Sequence, residues 1–257
     1  MEESGDVTRI SVPANSQVTL IERFQRRDQE PYSTQTKLEV SVGEGATLTH
    51  YKLVLEGAYA EHHSSLEAEV TKGGSLYSHV FLMAGAHIRN TIQVRLTGEN
   101  AACVLNGLYV GGGRQIIETN TLIEHQKPHG SSREFYKGIL DGESQGNFDG
   151  LIVVAKDAQK TDSAQVNKNL LLSSKAKARS LPELKILAND VKCKHGSTIG
   201  QLDPQQLFYL RSRGIPMDVA RHVLIYAFAS EMIELVELDE VKQSLLPCLS
   251  LTNSIKK

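Results

Sequence analysis

The run DVKCKHGSTIGQLD, residues 190–203, places a cysteine and a histidine one residue apart, Cys193 and His195. In an extended segment, residues i and i+2 project from the same side, so a soft sulfur ligand and an imidazole would stand together. That pair suits iron, zinc or copper and suits magnesium or calcium poorly. Two ligands from one strand do not close a site, so a partner would have to complete it. Lys192 and Lys194 point the other way and are expected to lower the thiol pKa. From spacing alone, a buried free cysteine beside an ordinary turn histidine is the simpler reading.

The other motifs with chemical potential read as structure. Gly142-Glu143-Ser144-Gln145-Gly146 matches the G-x-S-x-G hydrolase pattern, but that mechanism needs a helix after the serine, and residues 147–154 read as a strand. Gly111-Gly112-Gly113-Arg114 lacks the following G-K-[ST] of a phosphate loop, which leaves a turn. His125 and His129 would share a face only on a helix, and Pro128 argues against one. His62 and His63 are expected in a solvated loop, and residues 23–30 in a charged one. His50, His79, His87 and His222 stand isolated. Glu67, Glu69, Asp149, Asp157 and Asp162 could serve a polysaccharide-cleaving solenoid enzyme, which needs paired carboxylates, but the sequence establishes no pairing.

The elements that must position Cys193 and His195 come from 257 residues, enough for one large domain or two modest ones. Net charge is −2, from 28 basic and 30 acidic residues. That balance gives no electrostatic reason to expect nucleic acid or an anionic membrane as partner. Three scattered cysteines, Cys103, Cys193 and Cys248, write no disulfide framework. No apolar run reaches the roughly 18 residues of a membrane span. MEESGDVTRI lacks the basic start and apolar stretch of a signal peptide. A reducing, cytoplasmic location is expected.

Residues 18–199 read as strand after strand. Residues 37–42, 66–70 and 92–96 alternate apolar and polar with period two, the mark of half-buried strands. Glycine-bearing turns follow at residues 43–45, 72–74 and 98–100. A loose repeat links THYKLVLEG (49–57), YSHVFLMAG (77–85), VLNGLYVGG (104–112) and EFYKGILDG (134–142). Its interval of about 27 to 30 residues is that of stacked-repeat architectures. A parallel β-helix is the preferred reading and a β-sandwich the rival. Helices then follow. Asp203 fits an N-cap, Pro204 the first helical position and Gly214 the residue after the end. Leu207 and Leu210 share a face. A second helix is expected over 218–237, with Ala220, Leu224, Ala227, Phe228 and Leu235 as its stripe. Ile225, Tyr226, Ile233 and Val236 fill other faces, so the helix either packs with the tail (240–249) or docks a partner.

The passage QVNKNLLLSSKAKARSLPELKILANDVKCKHGSTIGQLDPQQLFYLRSRGIP, residues 165–216, together with KGILDGESQGNFDGLIVVAKDAQKTDSAQ, residues 137–165, resembles the SufD (SufB/SufD) family of iron–sulfur cluster assembly proteins. The likeness is densest over those fifty residues and extends more weakly to about residue 18. The resemblance implies a mainly β fold, a right-handed parallel β-helix (residues 1–200) followed by a small α-helical domain (201–257) where an ATPase docks. It implies a scaffold without an enzymatic role of its own, pairing with a SufB paralogue and with the ABC-type ATPase SufC. It places Cys193 and His195 at the partner interface as ligands of a transient iron–sulfur cluster. ATP would enter only through SufC, since the sequence carries no nucleotide-binding loop. A homodimer, or an interaction module with no metal role, is the alternative. Family members usually carry a further N-terminal helical region, and this chain starts close to the β-helix, as a short natural member or a truncated one.

Overall fold

The fold comes from a computed structural model that describes residues 6–26 and 30–250. The strands, in chain order, are β1 (Asp6–Val12), β2 (Gln17–Phe24), β3 (Tyr32–Val42), β4 (Thr47–Leu55), β5 (Ala60–Val70), β6 (Ser75–Ala84), β7 (His87–Leu96), β8 (Ala102–Gly111), β9 (Ile116–His125), β10 (Ser131–Leu140), β11 (Gln145–Val154), β12 (Asp162–Leu171), β13 (Lys177–Ile186) and β14 (Lys192–Gly200). Three helices follow: α1 (Pro204–Ser212), α2 (Met217–Ile233) and α3 (Asp239–Ser250). The odd strands form one seven-stranded sheet in the order β1 to β13, and the even strands a second from β14 to β2. Neighbouring strands pair in parallel, each with the strand one rung on, as Val12 with Val42 and Leu140 with Leu171. The result is a parallel β-solenoid of seven rungs. The sandwich alternative falls, because its hairpins would give antiparallel pairs.

The alternating pattern explains the rungs. In β5 the burial alternates residue by residue from Ala60 to Val70, so one side chain in two enters the solenoid. Leu38, Leu66 and Ile92 stack in register there, as do Val42, Val70 and Leu96. One column of turns stacks as well. Asn15, Gly45, Gly73, Asn100, His129 and Lys160 all adopt positive φ on successive rungs. Each donates its backbone N–H to a carbonyl of the next rung: Asn15 to Glu44, Gly73 to Glu99, His129 to Gln159. This satisfies turn amides that a lone hairpin would leave to water.

The repeat lies wholly in the even sheet, on β4, β6, β8 and β10. Its first three copies are in register, Thr49 with Tyr77 with Val104. The fourth is offset by one, since Val104 pairs with Arg133 and Glu134 with Leu105.

The helices cover the outer face of the even sheet. Tyr51, Leu53, Phe81, Leu108 and Ile139 meet Ile225, Ala229, Met232 and Val236 in a second core outside the solenoid. Lys137, almost wholly buried, pins α2 by donating to the Phe228 carbonyl at 2.8 Å and pairing with Glu231. The Asp203 carboxylate accepts from Gln205 N at 2.8 Å, capping α1, and Gly214 follows with φ of 83°. The expected stripe on α2 is displaced. Ala227 and Leu235 face solvent, Leu224 and Phe228 are half-buried, and the buried set is Ala220, Ile225, Ala229, Met232 and Ile233. A helix apolar all round leaves its covered face undecided until a partner surface exists. No residue of α1 is buried.

Candidate functional site

Cys193 and His195 lie on β14, which pairs with β12 on one side and forms the edge of the even sheet on the other. Their phase along the strand is set by the rungs above. Cys193 continues the column Cys103, Ser132, Ser163, and His195 continues Leu105, Glu134, Gln165. Those columns point into the solenoid, where Ser163 and Gln165 are buried. The two residues thus occupy inward positions at the open end, where the next rung would lie. Cys193 is half-buried against the core and His195 is exposed. Lys192 and Lys194 alternate outward, as expected.

The thiol departs from expectation. Burial pushes the Cys193 pKa up, the Asp162 charge adds to that, and a backbone hydrogen bond from Ser163 opposes it. The two lysines act instead on Asp162, whose carboxyl is held low first by Arg133 and then by their charge. Cys193 is therefore a protonated thiol in the isolated chain. Among the described residues no three His, Cys, Asp or Glu side chains gather to hold a metal ion. The edge presents one thiol and one imidazole.

The remaining candidates resolve as structure. Residues 142–144 and 112–115 form turns between strands. His125 is buried in β9 with Nε2 2.9 Å from Ser132 Oγ, and His129 is in the turn column, so the two do not share a site. His62 and His63 lie on β5, not in a loop. His62 is fully buried with Nδ1 3.2 Å from Glu56 Oε2, because the strand's phase turns it inward. Arg23, next to last in β2, reaches Ser244 on α3 at 2.7 Å; residues 27–29 of the expected charged loop lie outside the described residues. The side chain of Cys248 also lies outside them. Glu67, Glu69, Asp149 and Asp162 each pair with a basic residue, Lys37, Arg95, Arg179 and Arg133.

Two buried polar groups escape a reading by motif. At the first rungs, Glu22 lies 2.8 Å from His50 Nε2 and 3.4 Å from Lys52 Nζ, and His50 and Lys52 are each only 1% exposed. Near the open end, Glu134 is buried with Gln165 Nε2 donating to it at 2.6 Å. The available signal was phase: Lys52 and Glu134 stand at inward positions of their strands.

The helices offer a second surface. Phe208 is 74% exposed and Tyr209 57%, with Met217, Val219, Val223 and Tyr226 open beside them. Tyr209, Leu210, Val223 and Leu224 line a groove between α1 and α2. Contiguous exposed apolar surface of this kind marks interaction sites. Among the described residues no helix is long and apolar enough to cross a membrane.

The protein is a parallel β-solenoid with Cys193 and His195 on its open edge and exposed apolar residues on its helices. Residues 3–228 match the family described as SUF system FeS cluster assembly, SufBD core domain. The chain is 35% identical over 237 residues to the iron–sulfur cluster assembly protein SufD of Escherichia coli, covering 92% of this chain and 56% of that protein. It is 35% identical over 250 residues to a SufBD family protein of Synechocystis, covering 94% and 55%. It is 33% identical over 228 residues to the chloroplastic protein ABCI7 of Arabidopsis thaliana, covering 88% and 48%. The chain belongs to the SufB/SufD family of iron–sulfur cluster assembly proteins. It spans about half the length of these curated relatives.

Proposed function

We propose that this chain is a non-enzymatic scaffold subunit of the SUF machinery. Its open edge pairs with a SufB-type paralogue, and an iron–sulfur cluster is built there as cargo, with His195 and Cys193 contributing ligands. The C-terminal segment, residues 201–257, serves as the docking module for a SufC-type ABC ATPase, through which alone ATP enters. The observation that carries this reading is the placement of both soft ligands at inward positions of the solenoid's unpaired edge. A partner's rung continuing the solenoid would cover them and add its own ligands. The exposed face of Phe208, Tyr209, Val223 and Tyr226 supports the second contact.

The burial difference sets an order between the two ligands. His195 is exposed and available, whereas Cys193 must lose a proton from a half-buried thiol. His195→Ala is therefore expected to lower cluster yield more than Cys193→Ser, with fold and complex intact in both. The check is the visible absorbance and iron content of complexes purified anaerobically. Full yield in both variants would end the ligand role and favour an interaction module without metal chemistry.

A further inference from the structure

The solenoid interior near the open end is polar, and several of its polar atoms lack protein partners. Thr121 Oγ1, Glu134 Oε1, Tyr136 Oη and Gln165 Oε1 are all buried without a hydrogen bond. They come from β9, β10 and β12, on both sheets, with Thr121, Tyr136 and Gln165 all neighbours of Glu134. Buried polar atoms left bare cost about 1 to 3 kcal/mol each, and clusters of them hold ordered water. The arrangement is sterically specific. Gly150 Cα sits so close to Gln165 that a Cβ there would fall 2.1 Å from Nε2, so only glycine lets the amide reach Glu134.

Glu134 is the ionisable centre of this cluster. On β8 it faces Leu105 and Cys103, on β12 Gln165, on β9 Thr121, and on its own strand Tyr136. Both titratable neighbours, Cys103 and Tyr136, are neutral, their pKa values driven up chiefly by burial. No cation acts on the carboxyl. Thr121 lies close enough to favour its ionised form without hydrogen-bond geometry. Burial dominates and raises the carboxyl pKa to about 7.

We propose that Glu134 is a proton-exchange site inside the solenoid, linked by ordered water on the bare Gln165 oxygen to the open edge at His195. Gln165 is the rung between them, so Glu134 and His195 are two strand spacings apart, about 10 Å. Glu134 passes its proton to a bonded water, which passes one of its own toward the edge. One O–H bond breaks and one forms at each hop, and the carboxylate left behind is held by Gln165 Nε2. The exchange site stands on interior geometry alone; its use at the edge rests on the assembly role proposed above.

Infrared spectroscopy of the isolated chain tests it. A protonated-carboxyl C=O band should titrate away as pH rises through about 7 and vanish in Glu134→Gln. Isotope labelling of glutamate carboxyls assigns the band in the parent chain should that variant fail to fold. In heavy water the band should shift within seconds, and in Gln165→Leu over hours. Absence of a titrating glutamate band, or a parent band that resists heavy water for hours, would overturn the proposal without touching the assembly role. In the complex, Glu134→Gln should flatten the pH profile of cluster formation, whereas His195→Ala lowers it at every pH. An unaltered profile would remove the link to the edge.

Discussion

Gly107→Ala and Gly138→Ala each destabilise the chain by at least about 3 kcal/mol, near the upper range for overpacking a core. The two glycines and two tyrosines form a reciprocal lock. Tyr136 pairs in register with Gly107, and Tyr109 with Gly138. Each ring lies over the glycine of the adjoining rung. A Cβ on Gly107 would stand 2.1 Å from Tyr136 Cε1, and one on Gly138 2.2 Å from Tyr109 Cε2 and 2.4 Å from Asn169 Oδ1. Neither ring can swing aside. Tyr109 donates to Asn169 at 2.6 Å, Tyr136 packs on Phe148 at 5.2 Å, and both are about 1% exposed. Backbone movement is equally restricted, because both glycines sit mid-strand and bond to rungs on either side. Urea unfolding measures the loss directly. Tyr136→Leu makes room for the new methyl, so Gly107→Ala combined with Tyr136→Leu should be more stable than the sum of the single losses. Strict additivity would show that the ring and the glycine do not share the space described.

Glu22→Gln is the second large effect, a loss of about 3 to 5 kcal/mol at neutral pH. The Glu22 carboxylate stands between His50 and Lys52 at the first rungs. Burial would raise its pKa, but the hydrogen bond from His50 and the charge of Lys52 together bring it down to about 2. Burial lowers the pKa of both partners, with Glu22 resisting in each case. Removing the carboxylate leaves an ammonium 1% exposed, with the Phe24 ring 6.0 Å away. The sign in pH follows from linkage. A carboxyl with a depressed folded pKa contributes stability above its unfolded pKa of 4.5, and that stability is lost as pH falls from there toward about 2. Parent and variant should therefore differ most above about pH 5 and converge in acid. Glu22→Gln with Lys52→Met should recover much of the loss, since an apolar replacement of a buried pair is often neutral. Equal stability of parent and Glu22→Gln at pH 7 would mean that Lys52 is neutral in the fold.

What the sequence disclosed tracks what is local. Alternation in residues 66–70 and 92–96 marks a strand wherever its partner lies, and Asp203, Pro204 and Gly214 define α1 through contacts within a few residues. Parallel pairing is not local, which is why residue patterns alone kept a sandwich in view. The offset of the fourth repeat has the same origin: rung length varies, from Tyr77 with Val104 to Glu134 with Gln165, and sheet register follows hydrogen bonding rather than the best residue match. His62 looked solvated because a histidine pair beside Glu61 is polar on average, yet strand phase alone sends His62 inward. The face of α2 depended on the even sheet that covers it. At the candidate site, spacing gave the shared side of Cys193 and His195. The raised thiol pKa came from burial and from Asp162 on the neighbouring strand, 31 residues away in sequence, which the flanking lysines conceal.

As proposed, the open edge and the helical face together make this chain one part of a larger assembly. Light scattering on the chain co-expressed with a SufB-type paralogue and a SufC-type ATPase tests it most directly. One stable complex containing all three is expected, lost from the paralogue when prolines are placed on β14 and from the ATPase when Tyr209 and Val223 are made charged. A chain that elutes alone, or as a homodimer indifferent to both, would contradict it.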